Sequence, residues 1–221
     1  MFRSRKFLEP VPRNYISGLK TGKDAKWAVV QQPLDTYNTI SYKGIGRLPR
    51  DLKTTQDPSK RILLEQLPRL LRGYGKTYQS YNAILIVVLD CDWRNCIEFK
   101  RELVRLLKSC NPKPTTYFRI AIEEMEAWLL GDLKAIKSAY PYLKERDYSS
   151  YVQDSIIGTW EKLADLIYPG GSLVLSKKPF FEIGKHKAEW AQQIGNELDI
   201  DNNRSPSFNC FLKTITQNRT I

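Results

Sequence analysis

The sequence predicts an α/β protein: a Rossmann-like, mainly parallel sheet flanked by helices, with a helical C-terminal part. Three observations carry this. Ala83-Ile-Leu-Ile-Val-Val-Leu89 is continuously apolar and rich in β-branched residues, as a strand covered on both faces requires. Strand and helix patterns then alternate up to about residue 140. Past Pro141 the patterns are mainly helical. With 221 residues, 42% of them hydrophobic, the chain can bury one substantial core. The reading is one domain over 1–221, with 1–140 forming the sheet and 141–221 mainly helical.

The elements follow in order. Ala25 to Gln31 reads as the first strand. Residues 32–58 read as irregular, with Pro33, Gly44, Gly46, Pro49 and Pro58, and hold a basic group of Lys43, Arg47, Arg50 and Lys53. A helix is expected from Ser59, its N-cap, to Arg72, with an apolar stripe of Ile62, Leu63, Leu67, Leu70 and Leu71. Pro68 predicts a kink or a helix in two pieces. After the apolar strand comes Asp90-Cys-Asp92, then a helix over Asn95 to Ser109 with Ile97, Leu103, Leu106 and Leu107 inward. Thr115 to Ile122 reads as a strand leading straight into a helix from Glu123 to Ala139. Helices over Ser155 to Tyr168, Lys185 to Leu198 and Pro206 to Gln217 complete the chain. Pro169-Gly-Gly171 and Asp201-Asn-Asn203 separate them. These helices either cap the sheet or form its outer layer.

Composition excludes several classes. The longest apolar run, Ala83 to Leu89, falls short of the roughly 20 residues that span a membrane. Met1 to Lys6 is basic, but no apolar stretch follows, so no secretion signal is read and a cytoplasmic protein is expected. Cys91, Cys96, Cys110 and Cys210 form no CxxC pair and read as small buried hydrophobes. The one histidine, His186, excludes an HExxH metalloprotease. The formal charge of +11 fits a polyanionic partner such as nucleic acid.

The chemistry concentrates at two strand exits. In an open parallel sheet ligands sit beyond the carboxyl ends of the strands, where Asp90 and Asp92 lie. Two apart in an extended segment, both can face one site and hold a hard divalent ion such as Mg²⁺. Capping of the next helix is the competing reading. Glu123, Glu124 and Glu126 leave the next strand, with Glu123 and Glu126 sharing a helix face. Glu126, beside Trp128 and Leu129, is expected to be partly buried and paired with a metal or a basic side chain. Gly73-Tyr-Gly75-Lys76-Thr77 lacks the leading glycine and preceding strand of a phosphate-binding loop. Ser205-Pro206 reads as a helix start. Arg204, Lys185 and Lys187 read as phosphate contacts or as a solvated basic face.

Asp90-Cys-Asp92 with Cys96, then Glu124-Met-Glu126-Ala-Trp128-Leu-Leu-Gly-Asp132, Ala135-Ile-Lys-Ser-Ala-Tyr140-Pro141 and Asn203-Arg-Ser205-Pro-Ser207-Phe208, resembles a bacterial family called domain of unknown function 4276. That family is regarded as TOPRIM-like, and the resemblance runs from about residue 40 to 217. It implies a compact parallel sheet flanked by helices. It also implies a metal-dependent nuclease, with Asp90, Asp92 and Glu126 holding Mg²⁺ or Mn²⁺ and Asp90, Asp92, Glu124 and Glu126 carrying the chemistry. Lys43, Arg47, Arg50, Lys185, Lys187 and Arg204 would meet nucleic-acid phosphates. Relatives of this type suggest an ABC- or SMC-like ATPase partner and a place in phage defence. The family's N-terminal glutamate has no counterpart. The chain opens on what reads as the following helix, Phe2 to Tyr15, with Glu9 inside it. Either the start lies too late or the site is incomplete. The alternative is a non-catalytic nucleic-acid- or protein-binding module with a degenerate site. A nucleotide-binding protein is a third reading, without a glycine-rich loop to support it.

Overall fold

The computed structural model of the chain describes residues 26–31, 36–51 and 57–218. The expected Phe2–Tyr15 helix with Glu9, and Lys53 of the basic group, lie outside the described residues. Strands β1 (Lys26–Gln31), β2 (Thr36–Ser41), β3 (Ala83–Asp90) and β4 (Thr115–Ala121) form one sheet in the order β2-β1-β3-β4. β3 and β4 run parallel, from Ile84 opposite Thr115 to Asp90 opposite Ala121. β1 runs antiparallel to both β2 and β3. The α/β class is as expected, but among the described strands only β3 and β4 pair in parallel. Only residues 32–35 separate β1 from β2, too few for a parallel crossover, so the two pair as a hairpin. β2 itself lies in a stretch expected to be irregular. Its signal is the composition of Thr36, Tyr37, Thr39 and Ile40.

Helices α1 (Leu63–Thr77) and α2 (Cys96–Lys108) cover one face of the sheet, packing on Leu85, Val87, Leu89, Phe118 and Ile120. The other face presents Ile86, Val88 and Ala121. It is covered by α3 (Glu126–Leu130), α4 (Leu133–Ala139), α5 (Glu145–Tyr148), α6 (Thr159–Ile167), α7 (Gly171–Leu175), α8 (Phe180–Glu197) and α9 (Pro206–Gln217). The C-terminal helices are thus the sheet's second outer layer. The strict alternation along β3 decides the site: Asp90 shares the face of Ile86 and Val88, beneath those helices.

Four helix expectations are corrected. Asp57, not Ser59, is the capping residue; its carboxylate accepts from Ser59 N at 2.9 Å and opens a 3-10 turn over Pro58–Lys60. α1 starts only at Leu63 and runs through Pro68 undivided. Ile97 is 62% exposed, because the buried stripe of α2 is Phe99, Leu103 and Leu106 and Ile97 lies on the opposite side. The expected Glu123–Ala139 helix is two, parted at Gly131-Asp132, where Asp132 caps α4 by accepting from Ala135 N at 3.0 Å. Cys91 and Cys110 are buried and Cys96 is half-buried, but Cys210 is exposed on α9. Among the described residues no helix is long and apolar enough to cross a membrane.

Candidate functional site

The parallel pair β3–β4 stays hydrogen-bonded past its strands: Cys91 N donates to Ala121 O at 3.0 Å and Asp92 N to Glu123 O at 2.7 Å. Both chains then turn through left-handed residues, Asp92 at φ 49° and Glu123 at φ 63°. Neither is glycine. Asp92 is held by its carboxylate, which accepts from Arg94 Nη1 at 3.0 Å, and Arg94 Nη2 in turn donates to Gly46 O at 3.2 Å. Arg94 therefore ties the 43–50 segment to the strand exit. The N-cap of α2 is Asn95, whose Oδ1 accepts from Ile97 N and Glu98 N. That leaves Asp92 clear of the capping role.

Glu123 does not share a helix face with Glu126. Its carboxylate accepts from Gly158 N at 2.8 Å, Thr159 N at 2.7 Å and Thr159 Oγ1 at 2.5 Å, so it caps the N-terminus of α6. Gly158 sits at φ 94°, a conformation in which a side chain is strained. The other acids converge. Asp90, Asp92 and Glu124 line a cavity of about 360 Å³ together with Ile45, Trp160 and Lys187. Glu126 is buried just behind it, 1% exposed.

Lys187, expected as a phosphate contact or on a solvated basic face, comes from α8 into the middle of the cluster. Its Nζ lies 2.8 Å from Glu124 Oε2 and 3.4 Å from Glu126 Oε1, and 5.9 Å from the centre of the Trp160 ring. Glu126 thus has the basic partner its sequence context required. Burial raises the Asp90 carboxyl well above the usual range, reinforced by Glu126 and Glu124. Burial, then Glu126, pushes Glu124 up to about 7, with Lys187 opposing. Burial raises Asp92 too, against the pull of Arg94. The Lys187 ammonium is held charged by Glu126 and Glu124 despite its own burial. Glu161 of α6 adds another partly buried carboxyl, also raised by burial.

Asp90 Oδ1 is buried with no hydrogen-bond partner among the described residues, and Glu126 Oε1, which also lacks one, faces the Lys187 ammonium at 3.4 Å. Such orphaned acceptors are costly and call for a cation. The oxygen donors suit a hard divalent ion in kind. In their spacing, however, no three acidic, histidine or cysteine side chains among the described residues are grouped to hold a metal. Lys187 is the counter-charge in this arrangement.

The remaining sequence candidates sit at the rim or away from it. Lys43 and Arg47 are exposed and flank Gly44 and Ile45 of the cavity wall, and Arg50 is exposed further along the same segment. Lys185 is exposed beside Gly184, another wall residue, and lies 3.9 Å from Glu189. Arg204 is exposed, and its backbone N donates to Gly131 O at 2.8 Å, in a structural clamp. There Asn203 Nδ2 donates to Trp128 O at 2.8 Å and Trp128 Nε1 to Ser207 Oγ at 2.8 Å. The Asn203-to-Phe208 string thus binds α3 to α9. Sequence reading missed Trp160, Glu161 and the inward turn of Lys187, none of which carries a local motif.

The family described as Domain of unknown function (DUF4276) matches residues 104–216, just over half of the chain. The matched stretch includes Glu124, Glu126 and Lys187 and leaves Asp90 and Asp92 outside. No curated protein and no solved structure matches the chain.

Proposed function

The chain belongs to the DUF4276 family, and from its site we propose that it is a metal-dependent phosphodiesterase acting on nucleic acid. The observation that carries this is the buried Asp90 Oδ1, which no hydrogen-bond donor among the described residues meets, within a cluster of carboxylates that the single Lys187 ammonium faces. The TOPRIM resemblance of the sequence agrees with it. Asp90, Asp92 and Glu126, not grouped for an ion in this arrangement, would have to draw together to hold Mg²⁺ or Mn²⁺. A bound divalent ion supplies polarisation of a phosphate and a lower pKa for an attacking water.

The chain's own residues do the rest. Glu124, pushed up to about 7, takes or gives a proton near neutral pH. Lys187, once released from Glu124 and Glu126, presents its ammonium to the phosphate. Lys43, Arg47, Arg50 and Lys185 neutralise flanking phosphates. An ABC- or SMC-like ATPase partner and a role in phage defence belong to this proposal through the resemblance alone.

A second reading is favoured by the Lys187 ion pairs: a binding module whose carboxylates are already neutralised from within. Incubating plasmid DNA and total RNA with Mg²⁺, Mn²⁺ or EDTA separates the two. The nuclease reading expects metal-dependent cleavage that disappears in the Asp90→Ala, Asp92→Ala double variant. Equal cleavage by wild type and variant, or none in any metal, rejects it.

A further inference from the structure

The cavity combines two kinds of wall that a phosphate site alone does not need. Its lining is anionic at Asp90, Asp92 and Glu124 and aromatic at Trp160 and Phe180. Phe180 is 59% exposed. Aromatic faces of this kind stack on nucleobases without regard to sequence. In a duplex the base faces are covered by their neighbours, so a stacking wall gains nothing there until a nucleotide is unpaired. The volume, about 360 Å³, lies at the lower end of ligand cavities, roughly 300–1,000 Å³. That is room for one nucleotide and not for a base pair.

The rim argues for a strand over a lone nucleotide. Lys43 and Arg47 are exposed in the segment that carries the lining residues Gly44 and Ile45, and Lys185 is exposed beside Gly184 of α8, another lining residue. Cations carried by two separate wall segments of a one-nucleotide cleft suit the phosphates that flank a seated nucleotide in a strand.

We propose that the cleft seats one unpaired nucleotide of a single strand, its base against Trp160 and Phe180. This deepens the nuclease reading and rests on it for the chemistry, though not for the binding.

Gly184 offers a clean probe. A Cβ there meets nothing within 4 Å, so Gly184→Leu projects into open space beside the cleft without a packing clash. The test measures binding of a fluorescent single-stranded DNA, its RNA counterpart, the matching duplexes and a mononucleotide to the full chain. Cleavage of the same strands in Mn²⁺ is followed in parallel. Single strands are expected to bind more tightly than duplex or mononucleotide. Phe180→Ala should weaken them by about 5- to 150-fold, the worth of one stacked base, and Gly184→Leu should weaken them comparably. Duplex bound and cut as well as single strand overturns this inference and leaves the nuclease standing. Single-strand binding that falls in both variants, with no cleavage by wild type, upholds the inference and rejects the nuclease. A mononucleotide that binds as tightly as the strand, or binding that neither variant changes, overturns it.

Discussion

Burial pushes the Glu124 carboxyl up to about 7, with Glu126 adding to the push and Lys187 opposing it. A carboxyl whose folded pKa lies above its unfolded value binds protons more tightly when folded. Its contribution to stability is therefore full below about 4.5 and is lost as pH rises through about 7. Asp90 is shifted in the same direction. Glu124→Gln removes the titration, so in EDTA the stability difference between variant and wild type should move in the variant's favour as pH rises between those two values, on top of any constant cost of the lost Lys187 pair. The gain should be on the order of 3 kcal/mol at most. Thermal melts of both proteins across this range check it, and a difference that stays flat with pH would mean Glu124 ionises normally. The acids were legible because a strand ending in carboxylates is a local pattern. Lys187 was not, since a lysine on an amphipathic helix reads as solvated and only packing against β4's exit shows which way it turns. Glu123 was misplaced for a related reason: its left-handed backbone and its partners at Gly158 and Thr159 depend on contacts 35 residues away.

Within α1 two glycines separated by one residue put opposite demands on the helix. At Gly73 a Cβ meets nothing within 4 Å, whereas at Gly75 it would lie 2.0 Å from Pro112 O. Glycine in a helix interior costs about 0.5–1 kcal/mol relative to alanine. Gly73→Ala should therefore stabilise by about that amount. Gly75→Ala should destabilise by about 1–3 kcal/mol, because backbone has to move. Urea midpoints of the two variants read out the signs, and the same sign in both would show that α1 does not approach Pro112 as described. The pair also explains why Gly73-Tyr-Gly75-Lys76-Thr77 only looks like a phosphate loop: it is the last turn of a helix, and Gly75 serves a close approach. At this scale the sequence was most informative where one periodicity dominates, as in β3 and the buried side of α2. It was least informative at junctions. β2 escaped because its polar strand residues resemble a loop, and the Glu123–Ala139 helix looked continuous because Gly131 and Asp132 are read one at a time. In the structure Gly131 admits Asn203, whose Oδ1 would sit 2.0 Å from a Cβ there, and Asp132 also accepts from Asp199 N at 2.8 Å.

Across the molecule, the candidate site is where separate parts of the chain meet. The 43–47 segment, the exits of β3 and β4, and helices α6 and α8 each contribute a wall. A ligand that binds only this assembled arrangement stabilises the whole fold by mass action, by about 2.7 kcal/mol at a hundred times its dissociation constant. Two cations compete for the same oxygens here: the Lys187 ammonium, already paired with Glu124 and Glu126, and any divalent ion that enters. Raising the pH favours the ion, because Asp90 and Glu124 give up protons that would otherwise satisfy them. Mn²⁺ should thus raise the melting temperature more at pH 8 than at pH 5. Lys187→Met should start lower, since removing one partner from a buried ion pair costs about 3–5 kcal/mol. It should then show the larger Mn²⁺ shift, because the competing charge is gone. If neither protein responds to Mn²⁺ at either pH, the cluster is a closed ion network and the binding-module reading stands. If only wild type responds, Lys187 assists the ion instead of competing with it.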